Sequence, residues 1–285
     1  MKTPKHVMVG NGMAGVRTLE ALLKIAAVPP TVYLVGAGPG DPELLTLKAV
    51  RVLRAASVIL VDDLVGEQLL ASVLDPAATP PRIVHVGKRG GCASTPQHFI
   101  CKLLVREALA GERVVRLKGG DPLVFGRAGE ELAALRAAGV PVEVVNGITS
   151  GLAAVNALGT GWTDRQAGAQ GVLLITGHPQ PGGPDPDWDA IAAVAASGIT
   201  LVVYMGVQRA PQIVGALRRH LPADLPAAAV QHASTAQQRC AMATLGTLLD
   251  TLAREAIGSP AVLVIGRVLC AASATVLSTQ VMAAA

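Results

Sequence analysis

Aromatic residues are almost missing from this chain: two Trp, two Tyr and two Phe stand among 285 residues. Proteins that hold unpaired bases stack them on aromatic rings. With no Lys/Arg-rich block either, no nucleic-acid partner is expected. Cysteine is sparse, and Cys92, Cys101, Cys240 and Cys270 show no C-x-x-C spacing. The six histidines include no H-x-x-x-H pair. These absences argue against a zinc site, a redox motif or any other metal centre, and the thiols read as reduced cysteines of a cytoplasmic protein. Charged residues are only 15%, against about 25% in ordinary soluble domains, and Ala, Val, Leu and Gly fill the gap. One uncharged stretch, Ala190 to Val207, just reaches the length of a membrane span. Ser197-Gly198 breaks it, so it reads as a helix, a glycine stop and a buried strand, and no membrane partner is expected. Lys2 and Lys5 precede an apolar stretch, but Asn11, Arg17 and Glu20 interrupt it too early for a signal peptide.

What remains is a chain long enough for two domains, with a net charge of +4 that favours a small polyanionic partner. Short Val/Leu/Ile runs alternate with helical patterns: "VYLVGAG", "SVILVDD", "RIVHVGK", "RVVRLKGGD", "VEVVNG", "GVLLITGH", "TLVVYMG", "AAAVQHA" and "AVLVIGRVL". Apolar strands separated by helices predict an α/β fold with largely parallel sheets. Ligands in such folds sit beyond the carboxyl ends of the strands. The pattern divides into a fragment at 1–28, an α/β domain at 31–147, a second at 148–271 and a tail at 272–285.

Two junctions share one grammar. In "VGAGPGDPELL" a strand meets Gly36, Gly38 and Gly40, then Asp41-Pro42. In "RLKGGDPLVFGR" a strand meets Gly119 and Gly120, then Asp121-Pro122. An aspartate caps a helix N-terminus and a proline suits its first position, so both pairs predict helix starts. The glycines leave bare main chain, as a flat ligand lying across both loops requires. Neither loop is a Walker motif, since no Gly-Lys-Ser/Thr follows. "VDDLV" and "VGKRGG" place an acid pair, Asp62 and Asp63, and a cation pair, Lys88 and Arg89, at two further strand ends. Acid–base chemistry uses such combinations. Thr149 and Ser150 of "NGITSG" read as a helix cap. Upstream, "VMVGNGMAGVRTLEALL" carries Gly10-x-Gly12-x-x-Gly15, a dinucleotide fingerprint without the acidic residue that should end its next strand. It resembles the first turn of the FAD domain of assimilatory nitrite reductases.

In order and spacing, "VYLVGAGPGDPELLTLKAV", "VGKRGG", "RVVRLKGGDPLVFGRAGEE", "GITSG", "VYMG" and "SPAVLVIGRV" resemble the uroporphyrinogen-III C-methyltransferases of the tetrapyrrole methyltransferase superfamily over about residues 31–270. The resemblance implies two α/β domains with a cofactor cleft between them, a homodimer, and S-adenosylmethionine as donor, leaving as S-adenosylhomocysteine. It also implies two methyl transfers to uroporphyrinogen III, giving precorrin-2 for sirohaem and cobalamin. By matching motif, cofactor contacts fall on Pro39, Gly119, Gly120, Asp121, Val124, Thr149, Ser150, Met205 and Ala233. Asp62 becomes the proton acceptor and Lys88 the proton donor, with Lys88, Arg89 and Arg127 as anchors for a polyanionic tetrapyrrole. The chain departs from the family pattern at Val61 and Asp63, at Asn146 in place of proline, and at Asp164 and Gln166. These changes read as lying toward the substrate side. Three alternatives stay open: another tetrapyrrole or corrin substrate, a flavin- or nicotinamide-dependent oxidoreductase built on Gly10–Gly15, and a donor-binding partner without turnover.

Overall fold

Ten β-branched or Ala-rich stretches pair into two five-stranded sheets in a computed structural model that describes residues 31–87, 95–179 and 182–270. The fragment at 1–28, Lys88 and Arg89, and the tail at 272–285 lie outside the described residues. The first sheet contains β1 (Val32–Gly36), β2 (Val58–Val61), β3 (Arg82–His85), β4 (Val114–Lys118) and β5 (Val142–Val145), in the order β3-β2-β4-β1-β5. All four of its pairings are parallel. The register pairs Gly36 with Lys118 and Val61 with Leu117, so the loops after β1, β2, β4 and β5 leave from one edge. Helices α1 (Leu47–Ala55) and α2 (Glu67–Val73) cover one face, and α3 (Gln97–Leu109) and α4 (Ala128–Ala137) the other.

The second sheet contains β6 (Gly171–Thr176), β7 (Ile199–Tyr204), β8 (Pro226–Gln231), β9 (Arg239–Thr244) and β10 (Ala261–Ile265), ordered β6-β7-β10-β8-β9. Helix α5 (Ser150–Ala157) packs on one face and α6 (Trp188–Ala196), α7 (Ala210–Leu217) and α8 (Leu248–Arg254) on the other. Parallel pairing, expected of both sheets, fills the first but is confined here to β6 and β7, and the other three pairings are antiparallel. The loop at 232–238 returns β8 into β9 as a hairpin, which is antiparallel by construction, and β10 enters between β7 and β8 running against both. Sequence reading missed β9. Its "RCAMAT" contains no Val, Leu or Ile, and it is an edge strand bonded only to β8. The stretch from Ala190 does resolve into α6, Gly198 at φ +94° and the buried β7. No helix among the described residues is long and apolar enough to cross a membrane.

Both Asp-Pro pairs depart from the predicted helix starts. Asp41 caps only a 3-10 turn, Pro42–Leu44, by accepting the Glu43 N–H at 2.8 Å. The chain then restarts as α1 behind Thr46, whose hydroxyl accepts the Ala49 N–H. Asp121 opens no helix at all. Its Oδ1 accepts the Leu123 N–H at 2.8 Å in a local turn, and α4 begins only at Ala128.

Candidate functional site

Three loops of the first sheet are knitted together through glycine. Gly38 N donates to the Gly120 carbonyl at 3.2 Å and Gly120 N to the Gly38 carbonyl at 2.7 Å. Gly36 and Gly147 press against the same carbonyl: a Cβ on Gly36 would lie 2.6 Å from Gly120 O, and one on Gly147 only 2.3 Å from it. Real Cβ atoms do not come so close, so these two glycines are required by loop-on-loop packing rather than by a ligand. Gly120 differs. Its φ of +68° is the left-handed region that favours glycine, and a Cβ there would find nothing nearer than Ser150 N and Thr149 Cα at 3.7 Å. The Cβ side of Gly120 therefore lies within contact range of the start of α5.

Asp121 fastens the floor. The side chain is buried, and its Oδ2 accepts from Gly147 N and from the Asn146 amide, each at 3.1 Å, while Oδ1 holds Leu123 N. Thr149 precedes α5 without capping it through its side chain. Its hydroxyl instead meets the Tyr204 hydroxyl at 2.8 Å, and that oxygen accepts the Gly151 N–H at 3.0 Å. Burial pushes the Tyr204 phenol above its usual range, against the opposing hydrogen bonds to Thr149 and Gly151, so it stays protonated and able to donate. A tyrosine on β7 thus caps the helix that carries Thr149 and Ser150. Met205 follows at φ +54°, half exposed.

The second half closes on the first at two more points. A Cβ on Gly40 would lie 2.4 Å from Thr235 Cγ2 and 3.6 Å from the Ala233 carbonyl, and Asp41 N donates to Ser234 Oγ at 3.3 Å. Ala233 is thereby brought beside Gly40, the residue that follows Pro39. Val124 packs against the apolar cluster of α5 and the second sheet that contains Tyr204 and Ala233. Of the eleven predicted site residues, ten therefore stand at strand ends or on the loops these contacts join. Lys88 falls outside the described residues.

Asp62 stands at the end of β2, and the cation placed against it is Arg116, whose Nη2 donates to Oδ1 at 2.5 Å. Arg127, read as a substrate anchor, is exposed and clasped by Glu130 through two bonds of 2.8 and 2.9 Å. Sequence reading missed Arg116, Lys118, Glu131 and Tyr204. The signal for the first two was present, because Arg116 and Lys118 are alternate residues of an otherwise apolar strand and so share a face. Asn146, placed by the sequence toward the substrate, lies against Asp121 on the glycine floor instead. Asp164 is occupied by its own turn, accepting the Gln166 and Ala167 N–H groups at 2.7 and 3.0 Å.

The donor set consists of main chain, hydroxyls and one thioether, with Val124 and Ala233 as apolar wall. Among the described residues no group of three or more His, Cys, Asp or Glu is gathered that could hold a metal. Two surface grooves, of about 460 and about 480 Å³, open elsewhere, one between α3 and α4 and one beside the start of β1, and neither is lined by a predicted site residue.

Residues 31–249 match the family model described as tetrapyrrole (corrin/porphyrin) methylases. The chain is 52% identical over 238 residues to uroporphyrinogen-III C-methyltransferase of Pseudomonas aeruginosa, which covers 83% of this chain and 93% of that one. It is 42% identical over 261 residues to siroheme synthase of Gluconacetobacter diazotrophicus, 91% of this chain but only 54% of that longer protein. Among solved structures, uroporphyrin-III C-methyl transferase of Thermus thermophilus complexed with S-adenyl homocysteine aligns with a TM-score of 0.69 at 41% identity, covering 84% of this chain and 93% of that one.

Proposed function

The chain belongs to the tetrapyrrole (corrin/porphyrin) methylase family, and from that premise we propose that it methylates two carbons of uroporphyrinogen III in succession. S-Adenosylmethionine is the donor, and precorrin-2 and S-adenosylhomocysteine are the products. The observation that carries this reading is the glycine floor, in which Gly38 and Gly120 clasp each other by two main-chain hydrogen bonds beside Thr149 and Ser150. A nucleoside with a sulfonium arm needs polar main chain for its ribose and base edge and an apolar wall for its ring. The main chain of Gly119 and Pro39 offers the first, beside the glycine at 120, and Val124, Met205 and Ala233 the second, and the residues present fit such a ligand.

The bound donor supplies an electrophilic methyl group, already activated by the positive sulfur. The protein's own contribution is position. The floor, locked by Asp121, and helix α5, capped by Tyr204, hold the donor so that the methyl faces the electron-rich ring; such alignment is worth about 7–11 kcal/mol of barrier. Once the new carbon–carbon bond has formed, the macrocycle loses a proton, and Asp62 is the acceptor in this reading. Lys88, the proton donor that the family resemblance implies, carries a cation that with Arg89 attracts the carboxylates of the substrate. The division into domains at about Gly147, a homodimer and a cytoplasmic location belong to the same proposal, supported by the family reading. Under anaerobic conditions, uroporphyrinogen III and methyl-labelled donor are expected to give a product heavier by two methyl groups. Label appearing only in another tetrapyrrole would redirect the assignment within the family, and no transfer to any tetrapyrrole would remove it.

A further inference from the structure

The first sheet hides two cations and a carboxylate that no step above uses. Arg116 and Lys118 lie on β4, each at least 95% buried, and Glu131 on α4 is fully buried between them. Arg116 Nε donates to Glu131 Oε1 at 3.0 Å, and Lys118 Nζ approaches both Glu131 oxygens at 3.3 Å. The amide of Gln97, on α3, donates to Oε1 at 3.1 Å. Arg116 Nη1 is held by the Leu60 and Leu117 carbonyls. Its remaining nitrogen, Nη2, reaches out of the sheet to Oδ1 of Asp62, whose side chain is 27% exposed. Burial and the nearby Arg116 push the Lys118 ammonium below its usual range, opposed by Glu131 and Asp62.

Buried charges are expensive unless paired and fully hydrogen-bonded. The inner three groups carry one net positive charge, and the set is neutral only when Asp62 is counted. A guanidinium is a flat fork whose directions are fixed once two nitrogens are engaged. With Nε on Glu131 and Nη1 on two carbonyls, the direction of Nη2 is set before it meets Asp62. Oδ1 is then pinned, while Oδ2 takes no partner among the described residues and the side chain stays part exposed at the strand end.

We infer that Glu131 and Lys118 are positioning residues for the strand-end carboxylate: Lys118 steadies Glu131, Glu131 sets the plane of Arg116, and Arg116 orients Asp62 with one oxygen open to the reacting ring. The inference rests on Asp62 as the proton acceptor of the proposed reaction. Gly126 has a place in the same device, because a Cβ there would lie 3.0 Å from Lys118 Cε and only 2.6 Å from the Pro122 carbonyl, so the turn before α4 closes over the lysine stem only as glycine.

The test is a double-mutant cycle on the full chain. Methyl transfer to uroporphyrinogen III is measured alongside calorimetric binding of S-adenosylhomocysteine. Glu131→Gln is expected to lower kcat about tenfold and leave the S-adenosylhomocysteine Kd within about twofold, because Glu131 touches none of the floor. Placed on Asp62→Asn, it is expected to cost almost nothing more, since the group it orients is gone. Independent, multiplying losses, or a fall in donor affinity matching the fall in kcat, would overturn the inference while leaving Asp62 in its role. An Asp62→Asn protein with unaltered kcat would remove both. Where Glu131→Gln fails to fold, Glu131→Gln with Lys118→Met keeps the volume and removes both buried charges, and the same pattern against Asp62→Asn is required of it.

Discussion

Replacing Gly36 by alanine tests the glycine floor directly. The added Cβ would sit 2.6 Å from Gly120 O, 2.6 Å from Gly147 N and 2.7 Å from Gly147 Cα, where 3.4 Å is the lower edge of ordinary contact. All three atoms belong to main chain, so no side chain can swing away. The loops after β4 and β5 must retreat by about 0.8 Å, or β1 must shift as a whole. Overpacking of this kind costs about 1–3 kcal/mol, and contacts against three backbone atoms place Gly36→Ala at the upper end. For a chain of this size each kcal/mol moves the thermal midpoint by about 2–4 °C, so a fall of about 5–10 °C is expected. Because the displaced atoms are the floor itself, binding of S-adenosylhomocysteine should weaken by about tenfold or more. Gly66→Ala is the control, since a Cβ there meets nothing within 4 Å and the residue has an ordinary φ of −64°. Gly120→Ala separates space from backbone strain: there is room for the methyl group, but the φ of +68° charges about 1–2 kcal/mol. A Gly36→Ala protein that melts within about 1 °C of the parent and binds the donor product normally would show that the loops have slack, and the account of the floor would fail.

Three further outcomes are expected. Tyr204→Phe removes the oxygen that meets Thr149 and accepts the Gly151 N–H; stability should fall by about 1–2 kcal/mol with weaker S-adenosylhomocysteine binding, and unchanged values for both would show that the helix holds its place without this cap. Glu107 is held below the usual carboxylate range by hydrogen bonds first from Arg106 and then from Arg82, against its burial. A carboxylate with a depressed folded pKa contributes stability above its unfolded value, and loses it as pH falls through the folded value. Glu107→Gln should therefore cost about 1 kcal/mol at pH 7, a modest figure because both arginines are largely exposed, and urea midpoints of the two proteins should converge below about pH 4. Removing residues 1–28 is expected to leave kcat unchanged, and a soluble truncated protein without methyl transfer would assign that fragment a part in the reaction.

Most strands were readable because they are short runs of Val, Leu, Ile and Ala, and the stop at Gly198 was readable because only the chain direction mattered there. The places of most predicted site residues were readable for a related reason: in a parallel sheet the carboxyl ends are aligned by register, and strand-end residues share one edge. What the linear sequence hid are relations between distant segments. Asp121 looks like a helix cap because Asp-Pro usually is one, and only the fold brings Gly147 N to its second oxygen. Gly36 looks like a ligand-facing glycine, and only the fold shows that it and Gly147 accommodate each other. The charges on Arg116 and Lys118 stood in plain view, but their partner Glu131 lies on the following helix, with no spacing rule to connect them.

The departures from the family pattern gain a physical meaning once their contacts are known. A proline before Gly147 would restrict the backbone directly. Asn146 retains the restraint by other means, since its amide donates to the carboxylate that already holds Gly147 N. The loop is pinned through Asp121 rather than through a ring, and the floor keeps its shape. Asp164 uses its carboxylate to close its own turn, against Gln166 N and Ala167 N, beside the bridge between Asp164 and Ala169. An acid already bonded to two N–H groups presents less free negative charge to a polyanion than its formal charge implies. Asp63 sits where a Cβ on Gly87 would collide with its carboxylate, 2.0 Å from Oδ1, so the loop after β2 leans on the loop that leads to Lys88. Asn146, Asp164 and Asp63 are thus each absorbed by a contact of their own, and none of these contacts takes an atom from Gly120, Thr149 or Ser150. The proposed donor side of the site can stay constant while the strand-end loops vary, which is the arrangement expected where one methyl donor serves tetrapyrroles of different shape.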